Sequence, residues 1–295
     1  MKPADFEEKD FEAPLYNQLL AGSSLLATPG QVFEGSFGID ALMHAQHPHF
    51  WRIFGHPDVP VGAILPDFRW GWVWRRFGRP RRLPSFAVNL LVQAKRPDTL
   101  KGPNPRLAPF GIKKSYWRFK INQKQQALLG RLSRTLSNRA LVVYASVAFD
   151  TFEDLYAHTE HQTIVENSVF VRIERMHEHH SWNYDAPGTT GVAMSKPEFI
   201  DGTPLFNELE SLSQNRNENS PLRELQSLEK LVVSTIYDDN FDDDSFVRYI
   251  RNMDAAWANG YENYDSPLRY ESETKTFAHL QYLFMLLGLD WFVVS

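Results

Sequence analysis

Two short stretches carry residue types that could do chemistry. The first is Gln93-Ala94-Lys95, at the end of the run Phe86 to Arg96. The run is apolar and β-branched enough to form a buried strand. Side chains alternate along a strand, so Gln93 and Lys95 should point one way while Ala94 enters the core. A lysine closing a buried strand, with a polar residue two places before it, is unusual for a purely structural element. The second stretch is Val32 to Asp40, where Glu34 and Asp40 sit among glycines that let the backbone approach a ligand closely. Carboxylates hold hard cations, and a lysine can stabilise charge on a phosphoryl group. Placed side by side, the two stretches would build a metal-dependent phosphodiesterase site.

Other stretches offer weaker chemistry. Met176-His177-Glu178-His179-His180 could bind zinc if it is a strand that puts His177 and His179 on one face, but no third ligand is evident. A structural or substrate-contacting role fits it better. His44, His47, His49 and His56 lie in an apparent loop among prolines and aromatics, which suits surface or phosphate contact. Trp70, Trp72 and Trp74 alternate as one strand face does and read as packing. Asp238 to Asp244 lacks the glycine and terminal glutamate of a calcium loop and reads as a solvated connection.

The elements that must position these residues can be read in order. A helix is expected within Phe6 to Leu20, on the spacing of Phe11, Leu15 and Leu19. Pro14 suits a first turn, so the start is expected near Phe11 or Glu12. Ile39 to Met43 should be a strand. Gln93 comes 53 positions after Asp40, far more than a hairpin needs, and the stretch between includes Arg69, Arg75, Arg76, Arg79, Arg81 and Arg82 among aromatic residues. Pro97 to Pro109 should be a loop. A helix over Asn122 to Ser137 and a buried strand over Ala140 to Phe149 follow. Thr163 to Ile173 and Gly191 to Met194 are weaker strands, and Ser181 to Asp185 reads as a turn. Asn207 to Pro221 reads as a polar linker, with helices over Leu222 to Ile236, Ser245 to Asn259 and Lys275 to Leu287.

The 295 residues suffice for a sizeable core, and 43% hydrophobic with 23% charged residues describes an ordinary globular chain. There is no cysteine, which excludes disulfides and thiolate zinc sites. No signal-like apolar run opens the sequence, and the greasiest stretch, Tyr282 to Val294, is too short to span a bilayer and contains Asp290. A cytoplasmic setting with no membrane contact is expected. The net charge of −5 hides an asymmetry. Arg69 to Arg139 holds 18 Lys and Arg against the single acid Asp98, and the remainder holds 13 against 35. A basic belt interleaved with aromatics points to nucleic acid, with Arg69, Arg75, Arg76, Arg79, Arg81, Arg82, Arg96, Lys113 and Lys114 as contacts. The acidic C-terminal part could meet a partner protein or a second copy.

The order helix, Glu/Asp strand, Lys strand, helix, strand resembles the αβββαβ plan of the PD-(D/E)xK, or restriction-endonuclease-like, superfamily. It is most similar to the Mrr-type branch, in which a glutamine replaces the acid of the last motif. The matching residues are Phe37-Gly38-Ile39-Asp40 and Val92-Gln93-Ala94-Lys95, within Phe6 to Phe149, about half the chain. The resemblance implies an α/β (α+β) fold with a mixed sheet: a nuclease domain over residues 1–205 with a basic, aromatic-rich insert near 44–85, and a mostly helical region over 206–295. It implies Mg²⁺ or Mn²⁺ on Asp40, with the Ala94 carbonyl beside it and Glu34 or Glu12 in support. Lys95 would orient the attacking water, and Gln93 would hold a metal-bound water without supplying charge. DNA is the implied substrate, with restriction or anti-phage defence as the setting. The competing readings are a non-catalytic nucleic-acid-binding or partner-binding protein on the same fold, and a zinc hydrolase built on His177 and His179.

Overall fold

The computed structural model describes residues 1–19, 88–188, 190–214, 221–241, 244–263 and 272–294, all within one compact unit. Glu34, Asp40, the four histidines from His44 to His56, the tryptophan row and Arg69 to Arg82 lie outside the described residues, as does the insert near 44–85.

A two-residue strand β1 (Lys2–Pro3) leads into helix α1 (Glu8–Leu19). Phe11 and Leu15 are fully buried, one turn apart, on the face predicted from their spacing. The helix begins earlier than Pro14 suggested, and Pro14 lies inside it. The start is fixed by Asp10, whose Oδ2 accepts a 2.8 Å bond from the Glu7 backbone N–H, half of a capping box. Pro14 removes one internal hydrogen bond, and burial of Phe11, Leu15 and Tyr16 on either side of it offsets that loss.

Strand β2 (Val88–Ala94) is buried over its whole length. Pro97 separates it from β3 (Asp98–Leu100), which pairs with β4 (Tyr116–Lys120). Helix α2 (Gln123–Thr135) starts as read, with Asn122 as its N-cap accepting from the Lys124 N–H at 3.1 Å. It returns the chain to β5 (Ala140–Val147), which lies parallel to β2. Helix α3 (Phe152–Glu160), then strands β6 (Ser168–Arg172), β7 (Ser181–Tyr184), β8 (Thr190–Met194) and β9 (Glu198–Asp201) follow. The C-terminal part contains α4 (Leu205–Gln214), α5 (Pro221–Ile236), α6 (Ser245–Asn263), α7 (Ser272–Leu286) and a final strand β10 (Asp290–Val294). No helix among the described residues is long and apolar enough to cross a membrane.

The fold is mixed α/β. One mixed sheet runs β10-β2-β5-β6, and an antiparallel sheet runs β1-β3-β4-β7-β8-β9. Aromatic rings join them: Phe119 of β4 lies 5.7 Å from Tyr144 of β5, and Tyr184 of β7 donates to the Val147 carbonyl at 2.7 Å. On one face of β2, Val88, Leu90, Val92 and Ala94 join Phe11, Leu15 and Tyr16 of α1 and Leu205 and Leu209 of α4 in one core.

Two readings of the sequence are corrected here. Asn207 to Pro221 is not simply a linker: residues to Gln214 belong to α4, because Leu205 and Leu209 bury one helical turn apart in the core and Glu208 pairs with Arg172 at 2.7 Å. Ser181 to Tyr184 is a strand whose four residues are all buried between β4 and β8. The region after 206, read as mostly helical, holds most of α4 and all of α5 to α7 together with β10, which joins the central sheet. Over Asn89 to Val92 both edges of β2 are taken, by β10 and by β5. The expected neighbour, Val32 to Asp40, lies outside the described residues.

Candidate active site

Lys95 stands one residue beyond β2, where the sheet opens at the carboxyl ends of the parallel strands β2 and β5. Its backbone N–H bonds the Ala145 carbonyl at 2.8 Å, and its own carbonyl accepts from Ser146 Oγ at 2.6 Å. The backbone is thus fixed while the side chain continues past the sheet. Nζ lies 5.8 Å from the Tyr144 ring centre. Burial lowers the Lys95 ammonium from its ordinary range, and the carboxylates of Glu8 and Glu12 act in the opposite direction.

The start of α1 is tied to this same end of β2. Glu8 Oε1 accepts from the Arg96 backbone N–H at 3.1 Å, and Glu7 meets the Arg96 guanidinium at 2.6 Å. Arg96 also bonds the Ala4 carbonyl, so this residue, expected to touch nucleic acid, clamps the N-terminal segment. One turn further along α1, Glu12 is buried. Burial raises its carboxyl, with Asp290 and Glu8 adding to the rise, while the 2.7 Å pair with Lys9 opposes it.

Asp290 is the residue that sequence reasoning missed. It opens β10, antiparallel to β2 and in register with Val92. Residues opposite each other in an antiparallel pair share a face, so Asp290 faces α1, where Tyr16 donates to its Oδ2 at 2.7 Å. Burial raises the Asp290 carboxyl, against the lowering effects of the Tyr16 bond and of Lys9. The signal available in the sequence was Gly288-Leu289-Asp290, a glycine and an acid before an apolar β-branched run, at the end of what read as one greasy stretch.

Gln93 is on the face of β2 opposite Asp290, the same face on which Lys95 lies against the Tyr144 ring. Its register partner is Tyr144, and its Nε2 donates to the Gly288 carbonyl at 3.0 Å, just beyond the end of α7. Gly288 has φ +65°, and a Cβ there would stand 2.9 Å from Gln93 Nε2. The amide is thus engaged in closing the α7–β10 turn, away from the α1 face that Glu12 and Asp290 share.

Glu12 and Asp290 are thus two carboxyls from distant parts of the chain, both shifted toward the protonated form by burial. Among the described residues, no three His, Asp or Glu side chains are arranged to hold a metal. The histidine run forms a tight turn before β7. His177 is exposed, while His179 is buried with its Nε2 3.0 Å from Glu198 and its carbonyl accepting from Gln123 Nε2 at 2.7 Å. The shared face expected for His177 and His179 is therefore not formed. Lys113 and Lys114 lie exposed in the connection between β3 and β4. Compared with protein-family models, curated proteins and solved structures, the chain matches none.

Proposed function

We propose that this chain is a metal-dependent phosphodiesterase that cleaves nucleic acid, DNA first among candidates, at the open end of β2. The observation that carries the reading is the convergence of three elements there. Lys95 follows β2 within electrostatic reach of Glu8 and Glu12 of α1, and Glu12 is in turn within reach of Asp290, which starts the antiparallel neighbour β10. The passage from β2 through α2 to the parallel β5 also suits the restriction-endonuclease-like plan.

In this reading Glu12 and Asp290 would hold Mg²⁺ or Mn²⁺, with the Ala94 carbonyl as a further oxygen. When bound, the ion would neutralise phosphoryl charge and lower the pKa of a water. Lys95 supplies the positive group for charge that builds on the phosphate, and its partial burial makes that interaction stronger than in bulk water. Tyr16 orients Asp290 through its hydrogen bond, and Gln93 fixes the turn that delivers Asp290. The strand carboxylate expected at Asp40 is thus assigned to Asp290.

The test is cleavage of supercoiled plasmid and of single-stranded DNA in Mg²⁺ or Mn²⁺ by wild type and Lys95→Ala. Cleavage that drops about a hundredfold in the variant supports the reading. Wild type that binds DNA but leaves it uncut in either metal supports instead the non-catalytic binding protein, which the uncharged Gln93 favours.

A further inference from the structure

We infer that the connection between β3 and β4 is a docking surface for single-stranded nucleic acid, centred on the aromatic pair Phe110 and Phe199. The inference extends the nucleic-acid part of the proposed function and is independent of cleavage.

The connection is a built platform. Asn104 organises its first half: its carbonyl accepts from the Leu107 and Ala108 N–H groups at 2.9 Å, its Oδ1 from Arg106 N–H at 3.0 Å, and its Nδ2 donates to Tyr116 Oη at 3.1 Å. Leu107 and Ile112 are buried against Tyr116, Val192 and Met194, which anchors the underside. Gly111, at φ +93°, turns the chain between them.

The outer side carries charge that nothing in the described protein neutralises. Elsewhere in the basic belt Arg96, Lys120, Arg131 and Arg139 each pair with a carboxylate. Lys101, Arg106, Lys113 and Lys114 are all exposed and make no ion pair among the described residues. Beside them, Phe199 of β9 is 56% exposed. Phe110 meets it edge to face at 5.0 Å. The neighbouring acid Glu198 is turned to His179, and Asp201 lies at the far end of β9. Unpaired cations around an exposed ring suit a polyanion that also offers flat apolar faces. Only unstacked bases offer those faces, which favours single strands over duplex. β3 begins three residues after Lys95, so Lys101 lies within roughly 20 Å of it along the chain.

The experiment is fluorescence anisotropy of the full chain with a labelled thymidine 20-mer and with a duplex of equal length, in chelator so that no cleavage occurs. Wild type should bind the single strand at least tenfold more tightly than the duplex. Phe199→Ala should weaken single-strand binding about tenfold. The double variant Lys113→Ala/Lys114→Ala should reduce the slope of log affinity against log salt by about 1.4. Chelator keeps this readout independent of cleavage, which separates this surface from the catalytic reading. Equal affinity for duplex and single strand, or no effect of Phe199→Ala in a variant whose melting is unchanged, would overturn the inference.

Discussion

Tyr16 and Asp290 lie 274 positions apart in the chain and 2.7 Å apart in the fold. The bond joins the first helix to the last strand across the α1 face of β2, beside Glu12. It keeps Asp290 in place although burial disfavours its charge.

That cost gives the first prediction. A carboxyl raised in the folded state is stabilising when protonated, and it loses that contribution as pH rises from the unfolded value toward the folded one. Ionising Asp290 and Glu12 therefore weakens the folded state. Asp290→Asn keeps an acceptor for Tyr16 and removes the charge, so it should stabilise the protein by about 1 kcal/mol. Mn²⁺ should raise the melting temperature of wild type and leave that of Asp290→Asn nearly unchanged. Equal metal shifts in both proteins would remove Asp290 from the metal site.

Gln93 supplies the second. Nuclease sites of the resembled kind often carry a carboxylate at this position, yet here the side chain donates to the Gly288 carbonyl. Gln93→Glu would set a carboxylate oxygen against that carbonyl. It should destabilise the fold by about 1–3 kcal/mol in urea unfolding and not raise metal affinity.

A third prediction concerns the helices behind the site. His279 of α7 is held at both ring nitrogens, by Glu229 of α5 at 2.7 Å and by Asp254 of α6 at 2.6 Å. Thr276 donates to the same Glu229 and Tyr237 to the same Asp254. Burial works to lower the His279 pKa, but the bonds and charges of Glu229 and Asp254 prevail and raise it above its ordinary 6.5. The imidazolium therefore stabilises the fold fully below the unfolded value, and that contribution is lost as pH rises through the folded one. Stability measured by chemical denaturation from pH 6 upward should fall in wild type and stay flat over that window in His279→Gln. Trp257, stacked on His279 at 4.5 Å, provides a fluorescence signal at the same place.

Much of the frame was legible in the sequence because its signals are local. The apolar run before Lys95, the cap at Asn122 and the stretch Ala140 to Val147 each state their element within a few residues. The helix α4 was hidden because Asn, Ser and Glu dominate its composition while only one narrow stripe of leucines packs. Strand β10 was hidden because α7 and β10 are both apolar and only Gly288 and Leu289 separate Leu287 from Asp290. For the site, Lys95 and Glu12 could be read from their own neighbourhoods. Asp290 could not, since its role arises from pairing with a strand almost two hundred residues earlier, and no local pattern encodes that pairing.

The central claim is that Asp290 and Lys95 belong to one phosphodiesterase site. The most direct test is plasmid cleavage in Mn²⁺ by wild type, Lys95→Ala, Asp290→Asn and Asp40→Asn, each first shown to be folded. The account predicts that wild type and Asp40→Asn cut at similar rates, while Lys95→Ala and Asp290→Asn lose at least a hundredfold. Full activity in Asp290→Asn, with loss in Asp40→Asn, would contradict it.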